Sequence, residues 1–231
     1  MSKNDQYEPY QITESLARYQ SRLERPSQQA LLCIDLQVLG CREGYGIFES
    51  HRDAGVAEHS IQYYLHRLDS LVIPNVKKLQ KTFREAGGEV IHCRIQSLTQ
   101  DGRDRSLEHK RLGLHAPPGS ELAEFLPEVA PKDNEIVVNK TASGVFISTN
   151  LEYLLRNLGV QKLFISGVYT NECISSAVRS ASDLGFDVRL ISDATAAITQ
   201  ELHDATLMTT NDRYARVVTT NEAMVEVLKN G

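Results

Sequence analysis

The chain has 231 residues, 41% of them hydrophobic, a formal charge of −5 and four cysteines. That length and apolar content suffice for one large α/β core without disulfide staples. The mild acidity, with no basic stripe interleaved with aromatics, argues against a nucleic-acid surface. No apolar run approaches the roughly 20 residues of a membrane span.

Residues 1–29 read as a polar N-terminal extension, partly helical from Glu14 to Leu23, without the apolar core of a signal peptide. Residues 30–231 read as a single domain. Cys33, Cys41, Cys93 and Cys173 lie far apart with no CxxC pair, which fits a reducing, cytoplasmic setting. Ala30 to Leu36 is a buried strand ending at Asp35. A glycine-containing loop runs from Gly40 to about His59. Val72, Ile73, Val76, Leu79 and Phe83 then recur at helical spacing, with Pro74 expected in the first turn and Gly87-Gly88 as the stop. Glu89 to Ile95 is the second strand, followed by a long charged loop from Gln96 to about Ser120; loops of that length in compact domains tend to carry function.

Glu135 to Lys140 is the third strand. Thr149 and Glu152 are spaced as a capping box for the helix carrying Leu151, Leu154, Leu155 and Leu158. Leu163 to Val168 is the fourth strand, and its helix presents Ile174, Ala177, Val178, Ala181 and Leu184 on one face. Phe186 to Ile191 is strand five, ending near Asp193. A helix is predicted over about Thr199 to Thr209, strand six over Ala215 to Thr219, and a last helix capped by Asn221. Apolar strands alternating with amphipathic helices imply a parallel sheet with helices on both faces, a three-layer α/β/α sandwich.

Three ionisable residues stand at carboxyl ends of apolar strands: Asp35, Lys140 and, past a glycine-containing turn, Cys173. Ligands in open α/β sheets bind at that edge. Each has an ordinary structural explanation alone. A strand-end aspartate caps turns, a strand-end lysine is solvated, and free cysteines are small buried hydrophobes. Together they supply a nucleophile, a base and an electrostatic partner. The placement of Cys173 in the first turn of a helix predicts a lowered thiol pKa. Arg94 ends a strand at the same edge and is a candidate for binding an anionic substrate group, as are the loop residues Arg103, Arg105, Lys110 and Arg111, for which a solvated basic loop is the simpler reading. Gln37 is assigned to orienting Asp35 or the substrate, with a turn role as the alternative. Gly44-Tyr45-Gly46 lacks the third glycine of a dinucleotide fingerprint, and no P-loop or HExxH motif occurs.

The runs Ile34-Asp35-Leu36-Gln37, Asn139 to Phe146 with Thr149, Gly167 to Ile174, and Ser192 to Ala197 resemble the isochorismatase-like cysteine hydrolase superfamily, over roughly residues 29 to 229. The resemblance implies a six-stranded parallel sheet, catalytic roles for Asp35, Lys140 and Cys173, a cis peptide at Val168–Tyr169 and no cofactor. It suggests hydrolysis of a non-peptide C–N bond in a small amide or ureide through a thioester. Backbone N–H groups of Tyr169 and Cys173 would form the oxyanion hole. A homo-oligomer, dimer or tetramer, is expected.

The chain departs from the family's nicotinamidases, whose metal is held by an Asp-x-His element after strand two; here that stretch reads Ile91 to Gln96 and no metal is expected. His51, Asp53 and His59 are the remaining conceivable ligands, and a solvated loop explains them more simply. Gly40 stands where many relatives have an aromatic residue. An isochorismatase-type vinyl ether hydrolase is the alternative within the fold, although that chemistry does not need a cysteine nucleophile. A non-catalytic binding or redox protein is the alternative outside enzymology.

Overall fold

The computed structural model describes residues 28–49 and 55–229. The expected helix at Glu14–Leu23 and the candidates His51 and Asp53 lie outside the described residues. Six strands form one sheet: β1 (Gln29–Ile34), β2 (Glu89–Ile95), β3 (Ile136–Lys140), β4 (Lys162–Val168), β5 (Asp187–Ala196) and β6 (Arg216–Val218). Their order is β3-β2-β1-β4-β5-β6, and every pairing is parallel.

β1 is buried along its whole length, as expected of a central strand covered on both faces. Its alternate residues feed two cores. Leu31 and Cys33 face α1 (Glu58–Arg67) and α2 (Ile73–Glu85), with Val76, Leu79 and Phe83 among their cluster. Ala30, Leu32 and Ile34 share the opposite cluster with Leu151, Leu155, Ala177, Val178 and Ala181. These come from two further helices, α4 (Leu151–Asn157) and α5 (Ser175–Asp183). In the loop after β2 lies a short helix, α3 (Leu107–Arg111). The chain closes with α6 (Gln200–Thr210) and α7 (Thr220–Lys229). This is the three-layer parallel fold expected of the sequence.

Local departures have physical causes. Pro74 lies in the first turn of α2, as expected, but α2 is not where the helical run begins. Helical backbone starts at Glu58 and passes through a π turn, Leu68–Val72, directly before α2. Proline lacks the N–H for a regular α bond, and a widened turn before it accommodates that loss. Thr149 and Glu152 do not form a capping box. The Thr149 hydroxyl accepts from Leu151 N (3.1 Å) and donates to Val145 O (2.6 Å), while Glu152 faces Arg156 at 3.4 Å. The last helix is capped by Thr219 rather than Asn221: Glu222 N donates to Thr219 Oγ1 (3.3 Å) and Thr219 N to the Glu222 carboxylate (2.8 Å).

Strand β5 runs past the expected end at Ile191, because its register with β4 shifts between Ile165 and Gly167. The irregular stretch is held from both sides. Arg67 donates to Ser192 O (3.1 Å) and Thr195 O (3.3 Å), and Asn75 to Asp193 O (2.9 Å). Asp193 Oδ1 accepts from Thr220 N at 2.7 Å, at the start of α7.

Candidate active site

Strand order decides where chemistry can assemble. The chain proceeds outward from β1 to β2 and β3, then returns to place β4 on the other side of β1. The crevice at the carboxyl ends of β1 and β4 is therefore the topological switch point, the usual ligand site of such sheets. Asp35 follows β1 there, and Cys173 follows β4. Lys140 ends β3, two strands from β1, and its long side chain reaches back across β2.

The three side chains meet. Lys140 Nζ lies 2.9 Å from Asp35 Oδ2 and donates to Cys173 Sγ at 3.3 Å and to Ala142 O at 3.1 Å. All three residues are buried, Lys140 completely. Asp35 has φ 57°, in the left-handed region that non-glycine residues seldom occupy. Its backbone is fixed there by the bond from Asp35 N to Cys93 O at 2.8 Å. Gly167, with φ 117°, sits where β4 crosses closest to β1: a Cβ there would lie 2.0 Å from Ile34 O. Only glycine permits that approach, which brings the turn carrying Cys173 beside Asp35.

Burial works against the charge of Lys140, but Asp35 and Cys173 outweigh it and lift the ammonium above the ordinary lysine range. Burial, joined by the negative charge of Asp35, pushes the Cys173 thiol up, and Lys140 opposes this only in part. The expectation of a lowered thiol pKa is thus reversed. Cys173 lies in a π turn, Thr170–Ile174, with a carboxylate against it, and the partial charge of a helix end is weaker than burial plus a full negative charge. A raised pKa favours the neutral thiol at rest.

The peptide Val168–Tyr169 is cis. Tyr169 N donates to no backbone carbonyl among the bonds of the described turns and loops. The Tyr169 hydroxyl donates to Gly40 O at 3.1 Å, and its ring stands edge-on to Tyr64. Tyr169 thereby walls the space beside Gly40.

The cavity over these residues measures about 30 Å³, enough for a couple of waters. Gln37 lines it, but its amide is fully engaged elsewhere. It donates to Ile95 O (3.0 Å) and Leu122 O (2.9 Å) and accepts from Ile95 N (2.6 Å). This clamps the segment after Asp35 to the end of β2, so Gln37 positions the chain and has no donor left for substrate. Arg94 is not brought to the cavity. Its guanidinium is held by Asn139 Oδ1 (2.8 Å), Ala123 O (3.0 Å) and Gln96 Oε1 (3.3 Å), over the ring of Phe125. Neighbouring residues of a strand point to opposite faces, and it is Ile95 that lines the cavity.

Sequence reasoning missed His109, which lines the cavity from α3. Its backbone N–H is capped by Ser106 Oγ at 3.1 Å, and Ser106 N in turn bonds Thr141 O at 2.8 Å, tying the loop to the end of β3. It missed also a second layer behind the turn that carries Cys173. Thr170 Oγ1 meets His203 Nδ1 at 2.9 Å, and His203 Nε2 meets Arg67 at 3.0 Å. No group of side chains able to hold a metal ion occurs among the described residues, and none of their helices is long and apolar enough to cross a membrane.

A parallel six-stranded sheet with a buried carboxylate, ammonium and thiol converging at its switch point defines the class as an α/β protein of the isochorismatase-like hydrolase fold. The chain belongs to the isochorismatase family: the family's Isochorismatase domain model matches residues 29–222. It is 31% identical over 166 residues to the uncharacterized isochorismatase family protein YrdC of Bacillus subtilis, covering 67% of this chain and 82% of that one. The ureidoacrylate amidohydrolase RutB of Rhizobium rhizogenes is 25% identical over 207 residues, 86% of this chain and 82% of its own. A cysteine hydrolase from Pseudomonas syringae pv. phaseolicola shares the fold with a TM-score of 0.74, at 20% identity, over 90% of this chain and 95% of that one.

Proposed function

We propose that this chain is a cysteine amidohydrolase that cleaves the C–N bond of a small amide or ureide. The observation that carries the reading is the buried Lys140 ammonium touching both Asp35 Oδ2 at 2.9 Å and Cys173 Sγ at 3.3 Å. A binding module has no need of that costly arrangement, since charges are buried only with partners and at a desolvation penalty. The amidohydrolase relative supports acyl chemistry over ether hydrolysis.

Each residue then has a defined part. Cys173 Sγ attacks the carbonyl carbon as its proton passes to Asp35. Because the resting thiol is neutral, attack and proton transfer are coupled. Lys140 keeps the carboxylate charged and balances the sulfur as negative charge grows. Backbone N–H groups of Tyr169 and Cys173 receive the oxyanion. Asp35 returns the proton to the departing nitrogen, ammonia or an amine leaves, and a thioester remains. Water, deprotonated by Asp35, attacks the thioester and regenerates the thiol.

The test is ammonia release from a panel of small primary amides and ureides, by wild type and by Cys173→Ala with its fold checked by circular dichroism. Wild type should turn over at least one compound and the variant should lose activity by more than about a thousandfold, as expected for a removed nucleophile. A loss under about tenfold refutes covalent catalysis. Cleavage of a vinyl ether that survives in the variant would establish the ether hydrolase instead.

A further inference from the structure

His109 is fully buried, lines the cavity, and neither ring nitrogen has a hydrogen-bond partner among the described residues. The nearest carboxylate oxygen, on Glu108, is 3.6 Å from Nε2, beyond bonding distance, and Glu108 is taken by the Ser143 hydroxyl at 3.1 Å. Buried polar groups in folded proteins are almost always partnered, and an exception inside a cavity calls for a partner that the chain itself does not supply. Burial, helped by the nearby Lys140 charge, holds the imidazole below the usual histidine range. It is neutral near pH 7 and offers one donor and one acceptor, the pattern that complements a carboxamide.

The rest of the lining sharpens the choice. Among the described residues no lysine or arginine lines the cavity, whereas the carboxylates of Asp35 and Glu172 do, the latter from an exposed position. The Lys140 ammonium is committed to Asp35, Cys173 and Ala142 O, and Arg94 faces elsewhere. Leu39, Ile95, Leu114 and Val168 make up apolar wall. A carboxylate on the substrate would find no counter-ion and would face like charge, which is strongly disfavoured away from water.

We infer that the site takes an uncharged amide bearing a second neutral polar group, that His109 binds this group, and that the site rejects carboxylate-bearing amides of the same shape. This rests on the amidohydrolase reading for its chemistry, though the recognition it describes can be measured without turnover. The probes are malonamide, malonamate, which differs only in one carboxylate for one carboxamide, and isovaleramide, which has the same shape with an apolar end. Binding to the full chain carrying Cys173→Ala, alone and combined with His109→Leu, is measured by calorimetry, and ammonia release is followed for wild type.

Malonamide should bind at least tenfold tighter than malonamate. His109→Leu should weaken malonamide about tenfold while leaving isovaleramide within twofold, a split that a merely structural histidine would not produce. Equal or tighter binding of malonamate, a parallel loss for malonamide and isovaleramide, or no binding by any probe at 50 mM (about the weakest binding such titrations register) would overturn the inference. Selective malonamide binding without ammonia release from any amide would leave the recognition standing and remove the hydrolytic reading.

Discussion

Replacing Asp35 by Asn separates two properties that a simple picture of an activated thiolate would join. In the wild-type site burial and the charge of the Asp35 carboxylate raise the Cys173 thiol, against the pull of Lys140. Asparagine keeps the shape and removes the charge, leaving the ammonium facing sulfur at 3.3 Å without a competitor. What the substitution removes is repulsion: Asp35 Oδ2 and Cys173 Sγ lie 2.9 and 3.3 Å from the same ammonium, hence within about 6 Å of each other, where two like unit charges repel by about 3 kcal/mol at an effective dielectric of about 20. If half of this survives relaxation of the site, the thiolate fraction at fixed pH rises about tenfold. Iodoacetamide alkylation at pH 7, with peptide mapping to separate Cys173 from Cys33, Cys41 and Cys93, reads that fraction. Cys173 in Asp35→Asn should label at least about tenfold faster than in wild type, while amide hydrolysis is lost for want of a group to take and return the proton. Labelling equal to or slower than wild type, in a variant of unchanged circular dichroism, would show that the carboxylate activates the sulfur and refute the reasoning.

Two further outcomes test the scaffold. Burial, followed by the Arg67 charge, lowers His203 from 6.5 to about 4. Between those values the unfolded chain takes up a proton that the folded chain refuses, so stability falls as pH drops from about 6.5 towards 4, by about 3 kcal/mol for this group. Urea unfolding of wild type and His203→Gln from pH 7 to 4.5 should give a visibly flatter profile for the variant, and parallel profiles would disprove the assignment. Gly167→Ala should destabilise by more than about 4 kcal/mol or prevent folding, since its Cβ would meet Ile34 O at 2.0 Å with φ at 117°; a midpoint within about 1 kcal/mol of wild type would contradict the close approach of β4 to β1.

The strands were legible because both faces of this sheet are covered, so each central strand is a continuous apolar run rather than an alternating one. Asp35, Lys140 and Cys173 stood out as charged or nucleophilic residues where such runs end. Their convergence was not legible without the family resemblance. It depends on strand order and on Lys140 spanning the width of β2, and neither leaves a local trace. Arg94 misled for a related reason: closeness to a strand end says nothing about which face a residue takes, and one position of parity separates it from Ile95. Strand β5 was read short because Ser192-Asp193-Ala194-Thr195 looks like a terminus, whereas Arg67, Asn75 and Thr220 supply from outside the partners that an irregular strand lacks. His109 carries no periodic signal at all. It sits on a five-residue helix inside a loop, and the length of that loop was the one available hint.

The α3 segment is held to the end of β3 by Ser106 N on Thr141 O at 2.8 Å and by the Ser143 hydroxyl on Glu108 at 3.1 Å, and this divides responsibilities within the molecule. Bond-breaking machinery is rooted in the rigid sheet, where a single misplaced atom is ruinous. With His109 as its reader, selectivity hangs from a loop segment outside the sheet. Descendants of this chain can therefore exchange one residue or a whole excursion between β2 and β3, and so acquire a new diet, while inheriting the same sulfur, acid and ammonium unaltered.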